Sequence, residues 1–87
     1  MANLLVIEDE ENLRFTIRRA LTKSGYHVTD VASLKSAREA IARTDFDVVL
    51  TDVMLGAHDN GLEFVKELRE PGGGFGGAVV VVTAFSS

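Results

Sequence analysis

A chain of 87 residues with 46% apolar content and net charge −4 reads as one small globular domain over residues 1–87; its acidity excludes a general nucleic-acid binder, which carries a basic balance. The absence of cysteine excludes a disulfide framework and a thiolate metal site. No basic stretch leads into a long apolar one and no apolar run could span a bilayer, so a soluble, cytoplasmic domain without membrane contact is expected.

Leu4-Leu5-Val6-Ile7 is apolar on both faces and stops at Glu8-Asp9-Glu10-Glu11. That is the pattern of a strand buried in a parallel sheet. Leu13, Ile17, Ala20 and Leu21 then recur at helical spacing, with Arg14, Arg18, Arg19 and Lys23 on most other positions. The spacing predicts an amphipathic helix, acidic at its start and basic toward its end as the macrodipole favours, with Gly25 ending it. Tyr26 to Ala32 alternates loosely and is rich in β-branched residues, which predicts an edge strand. Ser33 is placed to cap a helix that turns Leu34, Ala37 and Ile41 inward.

Phe46 to Leu50 reads as a third strand with Thr51 and Asp52 at its C-terminal end. A loop is expected from Leu55 to Gly61, then a helix marked by Leu62, Val65 and Leu68 and stopped by Pro71. Gly72 to Gly77 holds five glycines and reads as a flexible connection into a last strand, Ala78 to Thr83. Strands alternating with helices imply a parallel sheet with right-handed crossovers. In open sheets of that kind the working crevice lies past the carboxyl ends of the strands, which singles out Glu8, Asp9, Asp52 and Thr83.

Three carboxylates converge at that edge if the first and third strands are neighbours. Like charges packed together repel, and one of them is normally driven toward protonation. A hard divalent cation resolves the conflict, and Mg2+ is often held by one or two carboxylates, several waters and a phosphate. A carboxylate beside the ion can act as a nucleophile toward phosphorus. Taken singly, each residue has a plainer explanation: the "EDEE" acids as helix caps, Asp52 as a turn residue, Thr83 as a β-branched strand residue. Their coincidence at three strand ends favours a site.

"LLVIEDEENLR", "DVVLTDVMLGAHDNGLEFVKELR" and "VVVVTAF" together resemble the receiver domain of two-component response regulators, through essentially the whole chain. The resemblance implies an α/β, flavodoxin-like fold with strand order 2-1-3-4-5. It implies that Asp52 accepts a phosphoryl group from a sensor histidine kinase or phosphotransfer protein. It implies Mg2+ held by Asp9 directly, Glu8 through water, Asp52, and the backbone carbonyl of Met54. Thr83 would be the switch hydroxyl and Ala84 the small residue that leaves the phosphoryl group room. Met54 and Phe85 fall where the family tunes phosphoryl lifetime. A switch is implied, not a metabolic enzyme.

Two departures from the family pattern stand out. Gly56 replaces the usual proline, and the loop to Gly61 is one residue long. The family's fourth helix, fifth strand and fifth helix have no counterpart in the 87 residues, so the expected sheet is incomplete, with four strands and three helices. The family's phosphoryl-pairing lysine goes with them, and Lys23, Lys35 and Lys66 all fall in predicted helices. Val79 to Val82 then forms an open apolar edge, which predicts self-association through that strand.

"GGGFGG" lacks the Lys-Ser/Thr of a phosphate loop and reads as a linker. "AHDNG" lacks the alternate oxygen ligands of a calcium loop. His58 reads as a loop residue and His27 as a strand-surface residue. Arg14 and Arg18 read as a solvated helix face or a kinase contact. Two other functions fit parts of the pattern. One is a receiver-like interaction module that is not phosphorylated. The other is a Mg2+-dependent aspartyl phosphohydrolase, which commonly has a second aspartate where Met54 stands.

Overall fold

A computed structural model of the chain describes residues 2–52, 54–55, 59–70 and 75–82. Strand β1 (Asn3–Ile7) leads into helix α1 (Glu11–Lys23), then β2 (His27–Val31), α2 (Leu34–Arg43) and β3 (Val48–Asp52). Two short strands, β4 (Met54–Leu55) and β5 (Asp59–Asn60), precede α3 (Gly61–Arg69) and β6 (Ala78–Val82). The main sheet runs β2-β1-β3-β6, every pair parallel. The first and third strands are therefore neighbours and β2 is an edge.

Register divides the sheet into two faces. Val6 lies beside Asp30 and Leu50, and Leu50 beside Val80, while Leu5 lies beside Thr29 and Val49, and Val49 beside Val79. The Leu5 face holds the main core: Leu5, Ile7 and Val49 pack with Leu34 and Ala37 of α2, with Phe64 and Leu68 of α3, and with Phe46. α1 packs on β1 and β2 from the other face, where Leu4 and Val6 are buried. Beyond α1 the sheet is thinly covered. Val80 on this face is 45% exposed, and Val81 on the other is 36% exposed.

Helix ends follow local chemistry. The Glu10 carboxylate caps α1, accepting from the N–H groups of Asn12 at 3.2 Å and Leu13 at 2.6 Å. Gly25 follows the helix at φ +99°, a conformation that only glycine adopts without strain. Ser33 Oγ accepts from the Ser36 N–H at 3.2 Å and caps α2 as expected. Within α2, Leu34 and Ala37 are buried and Ile41 is half-buried.

Three expectations need correction. First, the inward stripe of α1 runs through Arg14, Ile17 and Leu21, which are half-buried, whereas Leu13 is 37% exposed and Ala20 faces solvent. The helix covers only the β1–β2 end of the sheet, so the margin of its apolar stripe overhangs. Second, β3 starts two residues later than its apolar pattern suggests and includes Thr51 and Asp52. Phe46 is apolar because it fills the core, not because it is in the strand. Third, the stretch read as a loop from Leu55 to Gly61 contains the antiparallel β4–β5 pairing, and α3 already begins at Gly61.

The glycine-rich connection is also more anchored than a linker at its end. Phe75 packs against the main core, and the Ala78 N–H donates to the Asp47 carbonyl at 3.0 Å. Asp47 in turn is tied to Asn3, its N–H donating to the Asn3 carbonyl at 2.8 Å and its carboxylate accepting from the Asn3 N–H at 2.7 Å. A Cβ on Gly77 would stand 2.5 Å from the Asp47 carbonyl oxygen and 2.6 Å from Phe75 Cζ, whereas one on Gly76 would meet nothing within 4 Å. Gly77→Ala is therefore expected to cost about 1–3 kcal/mol of stability, and Gly76→Ala far less. Urea unfolding of both variants measures the contrast, and equal stabilities would contradict it.

Arg38 fastens α2 to α3. Its Nε and Nη2 donate to the two Glu67 carboxylate oxygens at 2.8 and 3.0 Å, and its guanidinium lies 5.5 Å from the Phe64 ring centre. The hydrogen bond from Arg38, joined by its charge, holds the Glu67 carboxyl below the usual glutamate range, against a smaller opposing effect of burial. A lowered carboxyl contributes stability above its unfolded value and loses it as pH falls through the folded value. Both side chains are about half exposed, so screening keeps the contribution small. Glu67→Gln is expected to cost about 0.5 kcal/mol at neutral pH. Unfolding curves should show that difference closing below the usual glutamate range, and a difference that persists there would contradict the ion pair as its source.

Candidate functional site

The carboxyl edge of the sheet is assembled by register. Ile7, the last residue of β1, lies beside Thr51, and Asp52, the next residue of β3, lies beside Val82, the last of β6. Glu8 and Asp52 thus stand one step past the same Ile7–Thr51 pair, on neighbouring strands. The side chain of Asp52 lies outside the described residues, as do Val53, Thr83 and Ala84, with Thr83 following Val82 directly. Met54 opens β4 and pairs with Asn60 across the short hairpin. Phe85 and His58 are also outside the described residues, and His27 is exposed on edge strand β2.

Glu8 and Asp9 are neighbours in sequence with opposite surroundings. Glu8 is 4% exposed, and Asp9 is exposed. A buried carboxylate is costly unless hydrogen-bonded, and Glu8 Oε2 accepts from the Glu10 N–H at 3.0 Å. The Glu8 N–H donates to the Val31 carbonyl at 3.1 Å, continuing the β1–β2 ladder by one residue. Its carbonyl oxygen accepts from Arg14 Nη1 at 3.0 Å. The turn from β1 into α1 is therefore tied at the N–H, the carbonyl and the side chain of Glu8 before Glu10 caps the helix.

Arg14 and Arg18 converge on one carboxylate of β2. Arg14 Nε is 3.3 Å from Asp30 Oδ2, and Arg18 Nε is 3.6 Å from Asp30 Oδ1. Arg18 also lies 5.5 Å from the centre of the half-exposed Phe15 ring. The reading of Arg14 as a solvated residue is corrected: its side chain is 20% exposed and bound on both sides. A signal for this was present, because Arg14 sits at i, i+3, i+7 with Ile17 and Leu21, and Asp30 is the one acid in a β-branched strand. Sequence reasoning passed over Asp30 altogether.

The sequence model of the response regulator receiver domain matches residues 4–87. The chain belongs to that family. Among characterised relatives, the response regulator receiver protein CpdR of Brucella abortus is 34% identical over 70 residues, which are 80% of this chain and 58% of CpdR. Among solved structures, the chemotaxis response regulator CheY4 of Vibrio cholerae superposes with a TM-score of 0.86 at 28% identity, covering 100% of this chain and 72% of that one. The response regulator TrrA of Thermotoga maritima, solved in complex with Mg2+–BeF, superposes at 0.84 with 26% identity, covering 99% of this chain and 72% of TrrA.

The receiver described here is thus an incomplete flavodoxin-like domain of two-component signalling, spanning less than two thirds of CpdR. Receivers are phosphoacceptor switches that typically work with histidine kinases or phosphotransfer proteins. Besides TrrA with Mg2+–BeF, a response regulator protein from Burkholderia pseudomallei is solved with a phosphorylated aspartic acid and a calcium ion, at a TM-score of 0.82 and 26% identity, covering 100% of this chain and 49% of that one. Among the described residues no helix is long and apolar enough to cross a membrane.

Proposed function

We propose that Asp52 is the phosphoacceptor of a two-component receiver and takes its phosphoryl group from the phosphohistidine of a sensor kinase or phosphotransfer protein. The observation that carries the reading is the β1–β3 register, which brings the backbone of Asp52 to the strand end beside Glu8 and Asp9. An Asp52 carboxylate oxygen forms a new bond to phosphorus while the P–N bond to the donor imidazole breaks, and that electron pair stays on the ring nitrogen.

The donor set suits a hard cation. It is all oxygen, with the buried Glu8 carboxylate and the exposed Asp9 carboxylate on adjacent residues. Asp9 and Asp52 would hold Mg2+ directly together with the Met54 carbonyl, and Glu8, turned inward, would act through water. Bound Mg2+ supplies compensation for the charge of the phosphoryl oxygens. The Mg2+–BeF complex of TrrA supports the same choice of ion. Thr83 would donate its hydroxyl to a phosphoryl oxygen, and Ala84 would leave space for the group.

Incubation with acetyl phosphate and Mg2+, followed by mass spectrometry, tests the reading. A phosphoryl adduct is expected on Asp52, lost in Asp52→Asn and on chelation of Mg2+. An unmodified Asp52 under these conditions would leave the unphosphorylated interaction module as the better description. Turnover of phosphate esters would instead favour the phosphohydrolase.

A second copy of this chain is the other partner we infer. Among the described residues β6 pairs only with β3, its side chains are Ala and Val alone, and no charged residue occurs between Pro71 and Ser87. An uncharged strand whose second edge is unpaired among the described residues has nothing to repel a second copy of itself. Light scattering coupled to size exclusion is expected to find a dimer or larger species at micromolar concentration, with Val80→Lys shifting it toward monomer. A folded wild-type monomer would count against the pairing.

A further inference from the structure

Arg14 links the acidic edge to β2 in a way that the fold alone does not require. Its Nη1 donates to the Glu8 carbonyl oxygen at 3.0 Å, while its Nε lies 3.3 Å from Asp30 Oδ2. The Glu8 N–H is bonded to Val31, the residue after Asp30. The backbone on both sides of Glu8 is therefore referred to the same short stretch of β2, once through the ladder and once through the guanidinium.

We propose that Arg14 is the positioning residue of the acidic edge: by gripping the Glu8 carbonyl it fixes the peptide plane between Glu8 and Asp9, and so the direction in which Asp9 leaves the sheet. The inference deepens the reading of this edge as a Mg2+ site and rests on it. The task suits arginine, whose planar fork presents donors in different directions at once, while lysine offers one compact ammonium on a flexible stem. Asp30 has a stated part too. It holds the guanidinium from the side away from Glu8, and Arg18 on its other oxygen keeps that carboxylate in place.

Charge and position predict opposite outcomes, which makes the claim decidable. A cation beside an acidic crevice opposes the entry of Mg2+, so its removal on charge grounds alone tightens binding. Loss of a group that orients a ligand from behind weakens binding, commonly by tenfold or more. Asp30, which it shares with Arg18, offsets part of the Arg14 charge, and the positional effect is expected to win.

The test is a Mg2+ titration of the full chain followed by amide chemical shifts, for wild type, Arg14→Met and Arg14→Lys. Methionine keeps much of the apolar stem and removes both donors. Affinity is expected to fall about tenfold in Arg14→Met and by less in Arg14→Lys, with far-UV circular dichroism unchanged. Equal or tighter binding in Arg14→Met overturns the proposal. Should that variant fail to fold, Arg14→Lys decides it, with wild-type affinity as the overturning result.

A second measurement needs no metal. The Glu10 N–H, bonded to Glu8 Oε2, is expected to exchange with solvent faster in metal-free Arg14→Met than in wild type. A wild-type chain that does not titrate with Mg2+ would bring down the metal reading, and the exchange rate would then decide the grip of Arg14 by itself. Unchanged exchange at Glu10 would overturn it.

Discussion

Parallel pairing of β1 with β3 is the constraint on which the molecule depends. The two strands are separated in sequence by a helix, an edge strand and another helix, yet they lie side by side, with Ile7 against Thr51. A one-residue slip of either strand would turn its inward side chains outward. The burial of Leu5, Ile7 and Val49 on one face therefore determines which residues emerge together at the carboxyl edge. Core packing thereby brings the backbones of Glu8 and Asp52 to the same edge, each one residue past the Ile7–Thr51 pair.

An edge that collects acids must also keep them from disrupting it. The chain separates the problem by exposure. Glu8 is buried and hydrogen-bonded to the backbone of its own turn, whereas Asp9 projects into water. Positive charge on α1 is directed to the Glu8 carbonyl and to Asp30. Arg14 reaches the carbonyl of Glu8 and lies against Asp30, so the turn is held in place while the Asp9 side chain stays exposed. Helix capping by Glu10 adds a further tie from the same short segment.

The two faces of the sheet are unequally dressed. α2 and α3 close over one face and are tied to each other by Arg38 and Glu67. On the other face α1 covers β1 and β2, and the sheet beyond it is left with half-exposed valine at Val80. That imbalance explains why the apolar stripe of α1 looks stronger in the sequence than in the packing. A helix buries only as much of its stripe as there is sheet beneath it. It also explains why Val80 of β6 lies exposed on that face.

Much was legible from residue order alone. Apolar runs ending in acids, helical spacing of leucine and isoleucine, Ser33 before α2 and Gly25 after α1 are local signals, and each acts through its nearest neighbours in the chain. They suffice for the β-α-β-α-β-α-β order and for naming Glu8, Asp9 and Asp52 as candidates. Contacts between distant segments were not legible. Phe46 looked like strand and is core, Gly77 looked like linker and is wedged against Asp47, and Arg14 looked solvated and grips Glu8. In each case the deciding partner lies on another element, reached only once the sheet has formed. Side-chain patterns specify what a segment prefers, whereas the register of β1 against β2 and β3 decides what it touches.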